Sequence, residues 1–185
     1  MSDKSSYDEE VELKSGDHVR IRAIRPSDKD GLLGLFHALS PKSVYSRFLY
    51  RKKDVSPEQL KYFTELDFDS HVGLVATIGQ DKDEEIVGVG RYIVDEEDDS
   101  PTSAEIAFAV ADAHQDHGIG QELLKHLASI GTASGVGCFE ATVDQRDTAL
   151  LKLLEHSGFA VDESTDFGRV LVRLDLSSAG ARQAD

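Results

Sequence analysis

The chain's sequence predicts an α/β domain with a mixed, mostly antiparallel central sheet and helices on both faces. Three observations carry this expectation. Segments with apolar residues at a period of two recur along the chain, as in His18-Val19-Arg20-Ile21-Arg22-Ala23. Segments with one apolar helical face lie between them, as at Leu32, Leu33 and Phe36. Strands follow one another before the longest helical segment and alternate with helices after it, an order that fits a mixed sheet.

Taken in order, residues 18–25 read as a strand with Val19, Ile21 and Ala23 inward and His18, Arg20 and Arg22 outward. Pro26-Ser27-Asp28 starts a helix to about residue 38, and Ser40-Pro41 opens a second that holds Val44, Tyr45, Phe48 and Leu49. Ser56-Pro57-Glu58-Gln59 is a capping-box start, with proline at the first helical position, for a helix to about residue 66. Residues 71–78 and 86–94 flank a charged turn and form an antiparallel hairpin. Residues 104–110 form the next strand, and a helix begins at Ile119, with Leu123, Leu124, Leu127 and Ile130 on its buried face. A strand at 138–143, a helix at 148–156 and strands at 159–161 and 169–176 complete the chain. Residues 1–14 and 178–185 carry little apolar content and read as disordered tails, which leaves residues 15–177 as one domain.

Composition narrows the function. Thirty-five acidic residues against twenty basic ones give a net charge of −15, which argues against nucleic acid as a partner. Acidic clusters at 8–10, 81–85 and 95–99 fall in the tail and in turns, where they solvate the surface. No apolar run is long enough to span a bilayer and the first ten residues do not resemble a signal peptide, so a cytoplasmic protein with no membrane partner is expected. The single cysteine, Cys138, excludes an internal disulfide and reads as a buried, inert thiol. The seven histidines form no metal-binding pattern, and no metal is expected. A serine-hydrolase elbow is missing, and the Gly131-Thr132-Ala133-Ser134-Gly135 stretch reads as a helix end.

The most informative stretch is the strand, turn and helix from Ala104 to Leu127. Its turn, Gln115-Asp116-His117-Gly118-Ile119-Gly120, aims free backbone N–H groups and a helix N-terminus at one point, and glycines there admit a diphosphate. It lacks the spacing of a dinucleotide fingerprint or a P-loop. Gln-x-x-Gly-x-Gly after a strand carrying Glu105, followed by a leucine-rich helix, resembles the acetyl-CoA-binding motif of the GNAT superfamily of N-acetyltransferases. The element order is also that of the GNAT fold, over about residues 17–176. Residues 40–48 (Ser-Pro-Lys-Ser-Val-Tyr-Ser-Arg-Phe) and 69–76 (Asp-Ser-His-Val-Gly-Leu-Val-Ala) resemble the acetyltransferase domain of Pat-type protein lysine acetyltransferases. Members of that group fuse the domain to larger regions; here it is expected to stand by itself.

The resemblance implies acetyl-CoA as donor. Phe108, Ala109 and Val110 would pair with its pantetheine arm as an added strand, and a bulge in that strand would present an N–H to the reacting oxygen. Gln115, Asp116, His117, Gly118, Ile119, Gly120 and Gln121 would cradle the pyrophosphate, with Asp147 where many relatives carry asparagine. His117 would be the one side-chain cation of the cradle, and Asp116 would have to point away. An amine acceptor must be deprotonated before it attacks. By resemblance Glu105 is that base, its apolar neighbours Ala104, Ile106 and Ala107 shielding it from water. The usual general-acid tyrosine is replaced by Leu154, so either the thiolate leaves with a proton from water or another group such as Tyr92 serves. Arg47 reads equally well as a helix anchor or as a substrate-side residue. The acceptor is a protein lysine or a small-molecule amine; a non-catalytic acyl-CoA-binding module is the third alternative. Dimers are common in this fold, but no exposed apolar stripe marks a homodimer interface.

Overall fold

The computed structural model describes residues 3–94 and 103–178. Eight strands form one sheet: β1 (Asp8–Glu12), β2 (His18–Ala23), β3 (His71–Ile78), β4 (Glu85–Val94), β5 (Ser103–Val110), β6 (Cys138–Asp144), β7 (Ala160–Asp166) and β8 (Arg169–Asp175). Their spatial order is β1-β2-β3-β4-β5-β6-β8-β7, and among these pairs only β5–β6 is parallel. Five α-helices flank it: α1 (Lys29–His37), α2 (Pro41–Phe48), α3 (Pro57–Thr64), α4 (Ile119–Ala133) and α5 (Thr148–Glu155).

Two apolar clusters cover the two faces. One face packs on α4, whose buried stripe holds Ile119, Leu123, Leu124, Leu127 and Ile130, the side chains that the helical period selects. Each such burial contributes about 1.5–3 kcal/mol. The other face packs on α1 to α3 through Leu32, Leu35, Phe36, Val44 and Leu60 against Val75 and Val89. The capping box at Ser56 and Gln59 forms as its spacing predicts. Gly135, at a φ of +88°, follows the end of α4, and Val136 N–H bonds Gly131 O to close it.

The structure corrects four expectations. Residues 8–12, read as part of a disordered tail, pair with β2 as an edge strand, tied by Val11 opposite Val19 and by an Arg20–Asp8 ion pair. Arg22, read as outward, is buried, because Asp28 and Glu84 supply carboxylates at 2.8 and 3.1 Å. Cys138 is half-buried, its thiol 3.5 Å from Phe139 O. β5 pairs with β4 residue for residue from Ala104 to Val110, so it carries no bulge there; the register shift lies between β3 and β4, at Ala76/Thr77. The acidic run at 95–99 and the tail at 179–185 fall outside the described residues. Among the described residues no helix is long and apolar enough to cross a membrane.

Candidate active site

The site follows from a defect in the sheet. β5 and β6 pair only at Ser103↔Cys138, Ala104↔Phe139 and Glu105↔Glu140, after which the strands part. β5 runs on to Val110 with β4 on its other side, so alternate backbone polar groups beyond Glu105 face a wedge instead of a strand. Glu105 belongs to the last pair, at the wedge's apex.

A cleft of about 490 Å³ occupies this wedge. Phe108, Ala109 and Val110 form its floor, the loop and first turn of α4 close one end, and α2 and α5 form the walls. Helices α2, α3 and α5 start with side-chain caps from Ser40, Ser56 and Asp147. α4 starts at Gly118, at a φ of +91° and without a side-chain cap, so its first N–H groups are left for a ligand. A Cβ on Gly120 would lie 2.6 Å from Leu153 Cδ1, inside the cleft lining. An extended anionic ligand fits both the uncapped helix end and the open strand edge.

The sequence-predicted residues gather here with few exceptions. Phe108, Ala109, Val110, Gln115, Asp116, Gly118, Ile119, Gly120, Gln121 and Asp147 all line the cleft; His117 is exposed on the loop and does not. Several act as braces. Gln115 Nε2 donates to Val110 O at 3.0 Å and Ser43 Oγ at 3.2 Å, and Gln121 Nε2 to His156 O at 2.9 Å. Asp147 caps α5 by accepting from Leu150 N–H at 3.1 Å, and its other oxygen accepts from Ser46 of α2, which ties the two walls together. The cradle's cations are ones the sequence reading missed, Lys42 of α2 and Lys152 of α5, where His117 was expected alone. Lys42 follows the Ser40-Pro41 start of α2, and Lys152 stands three residues after Ala149 on the cleft face of α5; helix spacing gives the face each occupies but not that the two helices meet across one cleft. Partial burial opposes ionisation of Asp112, but hydrogen bonds from Ser40 and Ser43 outweigh it and hold its carboxyl below the usual range.

Two further expectations change. Glu105 is exposed, since its flanking residues Ala104 and Ile106 turn to the opposite face. Leu154 and Tyr92 are both fully buried in the cluster under α4, with Tyr92 packed on Phe139 at 5.4 Å between ring centroids. Tyr92 does not line the cleft. On the face that carries α1 to α3, Arg47 of α2 lies within the field of Glu105, its guanidinium over the Phe48 ring at 4.9 Å. Burial disfavours its charged form and the Glu105 charge favours it.

Residues 42–159 match the Acetyltransferase (GNAT) family. The chain is 30% identical to acetyltransferase PA5475 of Pseudomonas aeruginosa over 165 residues, covering 89% of this chain and 87% of that protein. It is 29% identical over 170 residues to acetyltransferase Pat of Mycolicibacterium smegmatis, covering 90% of this chain but only 48% of Pat, about half its length. Among solved structures, the GNAT domain of S. lividans PAT superposes with a TM-score of 0.83 at 30% identity, covering 91% of this chain and 96% of that one. The yncA protein of Salmonella typhimurium, solved with its cofactor acetyl-CoA, shares the fold at a TM-score of 0.67 and 19% identity, covering 90% and 99%.

Proposed function

Because the chain belongs to the GNAT family of acetyltransferases, we propose that it moves the acetyl group of acetyl-CoA onto an amine, with a protein lysine as acceptor and Glu105 as base. The observation that carries the donor is the parting of β5 from β6 against the uncapped start of α4. Main-chain groups of residues 106–110 offer a partner for the amides of a pantetheine arm, and the α4 N-terminus with Lys42 and Lys152 offers positive charge to phosphates. The similarity to two Pat proteins supports lysine as the acceptor.

An arm laid along β5 from the α4 end reaches its apex at Glu105. There the carboxylate takes the ammonium proton, directly or through a water that its exposure admits. A free N–H of β5 stabilises negative charge on the carbonyl oxygen in place of the expected bulge. The thioester supplies the acetyl group and a thiolate that leaves readily. With Leu154 and Tyr92 both in the core, that thiolate takes its proton from water.

Calorimetric titration with acetyl-CoA, CoA and ATP tests the donor, and Glu105→Gln tests the base. The variant should keep its acetyl-CoA affinity and lose about 10²- to 10⁴-fold in kcat. Undiminished turnover by Glu105→Gln would remove Glu105 from the mechanism.

A further inference from the structure

Beside the cleft, and sharing Leu39 and Ala109 with it, lies a smaller cavity of about 30 Å³ between α1, α2, α3 and the sheet. That is room for one or two waters, or for a carboxylate head. Its lining residues are apolar except for two, Arg47 and Arg91. Arg91 is 4% exposed. Its contacts among the described residues are the Phe63 ring, 4.3 Å from the guanidinium carbon, and His71 Nε2 at 3.4 Å. The guanidinium of Arg47 lies over Phe48 at 4.9 Å. Neither arginine has a carboxylate within 4.0 Å among the described residues, whereas buried Arg22 has two. The two cations also oppose each other. Buried positive charge that finds no carboxylate partner among the described residues, as at Arg91, is expensive, and an arriving anion relieves it.

Glu105 fixes where that anion comes from. Arg91 of β4 stands opposite Ala107, two residues along β5 from Glu105 and on the same face. The Glu105 charge reaches Arg47, and the half-exposed ring of Tyr62 lies 5.2 Å from the His71 ring beside Arg91. A molecule that presents its amine to Glu105 therefore has a cationic niche next to the same point. We propose that Arg47 and Arg91 form a carboxylate subsite, so that the acceptor carries a carboxylate close to the amine it offers. This rests on the acetyltransferase reading above and narrows its acceptor. The carboxylate is either an acidic side chain beside the target lysine of a peptide or the α-carboxylate of a free amino acid, and the same two guanidiniums hold either one. The whole chain's charge of −15 disfavours acidic acceptors at long range, so the preference must arise locally, at this pair.

The test compares matched acceptors that differ only in that carboxylate. Lysine peptides with glutamate or glutamine beside the lysine form one arm, and free amino acids with their carboxamides form the other. In one arm the carboxylate member should have a kcat/KM about tenfold or more above its amide, and that arm identifies the source. In Arg91→Gln the ratio should fall to near one. Arg47→Lys is the second variant if Arg91→Gln does not fold. Equal turnover within both pairs, or a ratio that survives both substitutions, overturns the subsite. A readout without turnover separates this from the acetyltransferase reading: the N-acetylated members of each pair are titrated into the CoA-loaded protein. Tighter binding of a carboxylate form, by about tenfold, supports the subsite even if no acceptor reacts, and equal binding in both arms refutes it.

Discussion

His71 shows how a single side chain records its surroundings. It is the first residue of β3 and buried, its ring 5.2 Å from that of Tyr62 and its Nε2 facing Arg91. Burial, then the charge of Arg91 and to a lesser degree that of Arg47, lower its pKa from 6.5 to about 4, against an opposing pull of Asp67 that is weaker than the effect of Arg91. Between those values the unfolded chain binds a proton that the folded chain does not, so stability falls as pH drops through the window. From about pH 7.5 to about pH 5 this one group removes about 2 kcal/mol. His71→Phe, which keeps a neutral ring against Tyr62, should lose about 2 kcal/mol less than the native protein over that range in urea unfolding. Identical losses would show that His71 takes up its proton as easily folded as unfolded. None of this was legible in the sequence, where His71 is one of seven histidines that form no metal-binding pattern. Arg22 was misread for the same reason: strand alternation says which face a side chain takes, not whether Asp28 and Glu84 wait there to pair with it.

At the scale of elements, legibility divides between the middle of the sheet and its edges. α4, β3 and β4 have both the period and the apolar content that burial demands, so their positions follow from pattern alone. β1 (DEEVE) and β7 (AVDESTD) are the two outer strands, and edge strands need little apolar content because one side and much of their faces meet water. Charged residues there resemble a tail or a turn. The same contrast holds in the site: the glycine turn was readable, while Lys42 and Lys152 became visible only once α2 and α5 were set across the cleft. Asp147 links these levels, as cap of α5 and as acceptor from Ser46 of α2. Asp147→Ala should cost about 1 kcal/mol through the cap alone and should also weaken acetyl-CoA binding by loosening the two walls. Asp147→Asn keeps a capping oxygen and should recover most of the stability. If Asp147→Ala binds acetyl-CoA as the native protein does, the tie between α2 and α5 plays no part in shaping the cleft.

For the molecule as a whole, the wedge divides the sheet into a block of β1 to β5 and a block of β6, β8 and β7, joined in the sheet by three residue pairs. Further connections among the described residues run through packing under α4, the α2–α5 tie and the hydrogen bond from Gln121 to His156. A ligand seated in the cleft touches both blocks, with β5 and α4 on one side and α5 on the other, and so adds contacts where the sheet has fewest. A ligand that binds only the folded state at about a hundred times its Kd adds about 2.7 kcal/mol. For a chain of this size that raises Tm by roughly 5–10 °C. Acetyl-CoA and CoA should both produce the shift at equal saturation, because cradle and strand edge bind what the two share. ATP, which offers phosphates but no pantetheine arm, should produce much less at the same concentration. Amide exchange then locates the effect. If the arm lies along β5, protection must rise at the amides of residues 106–110 that face the wedge and at the first turn of α4. A thermal shift that leaves those strand amides unprotected would mean that the helix end holds the phosphates while the arm runs elsewhere, and Glu105 at the apex would then have no thioester beside it.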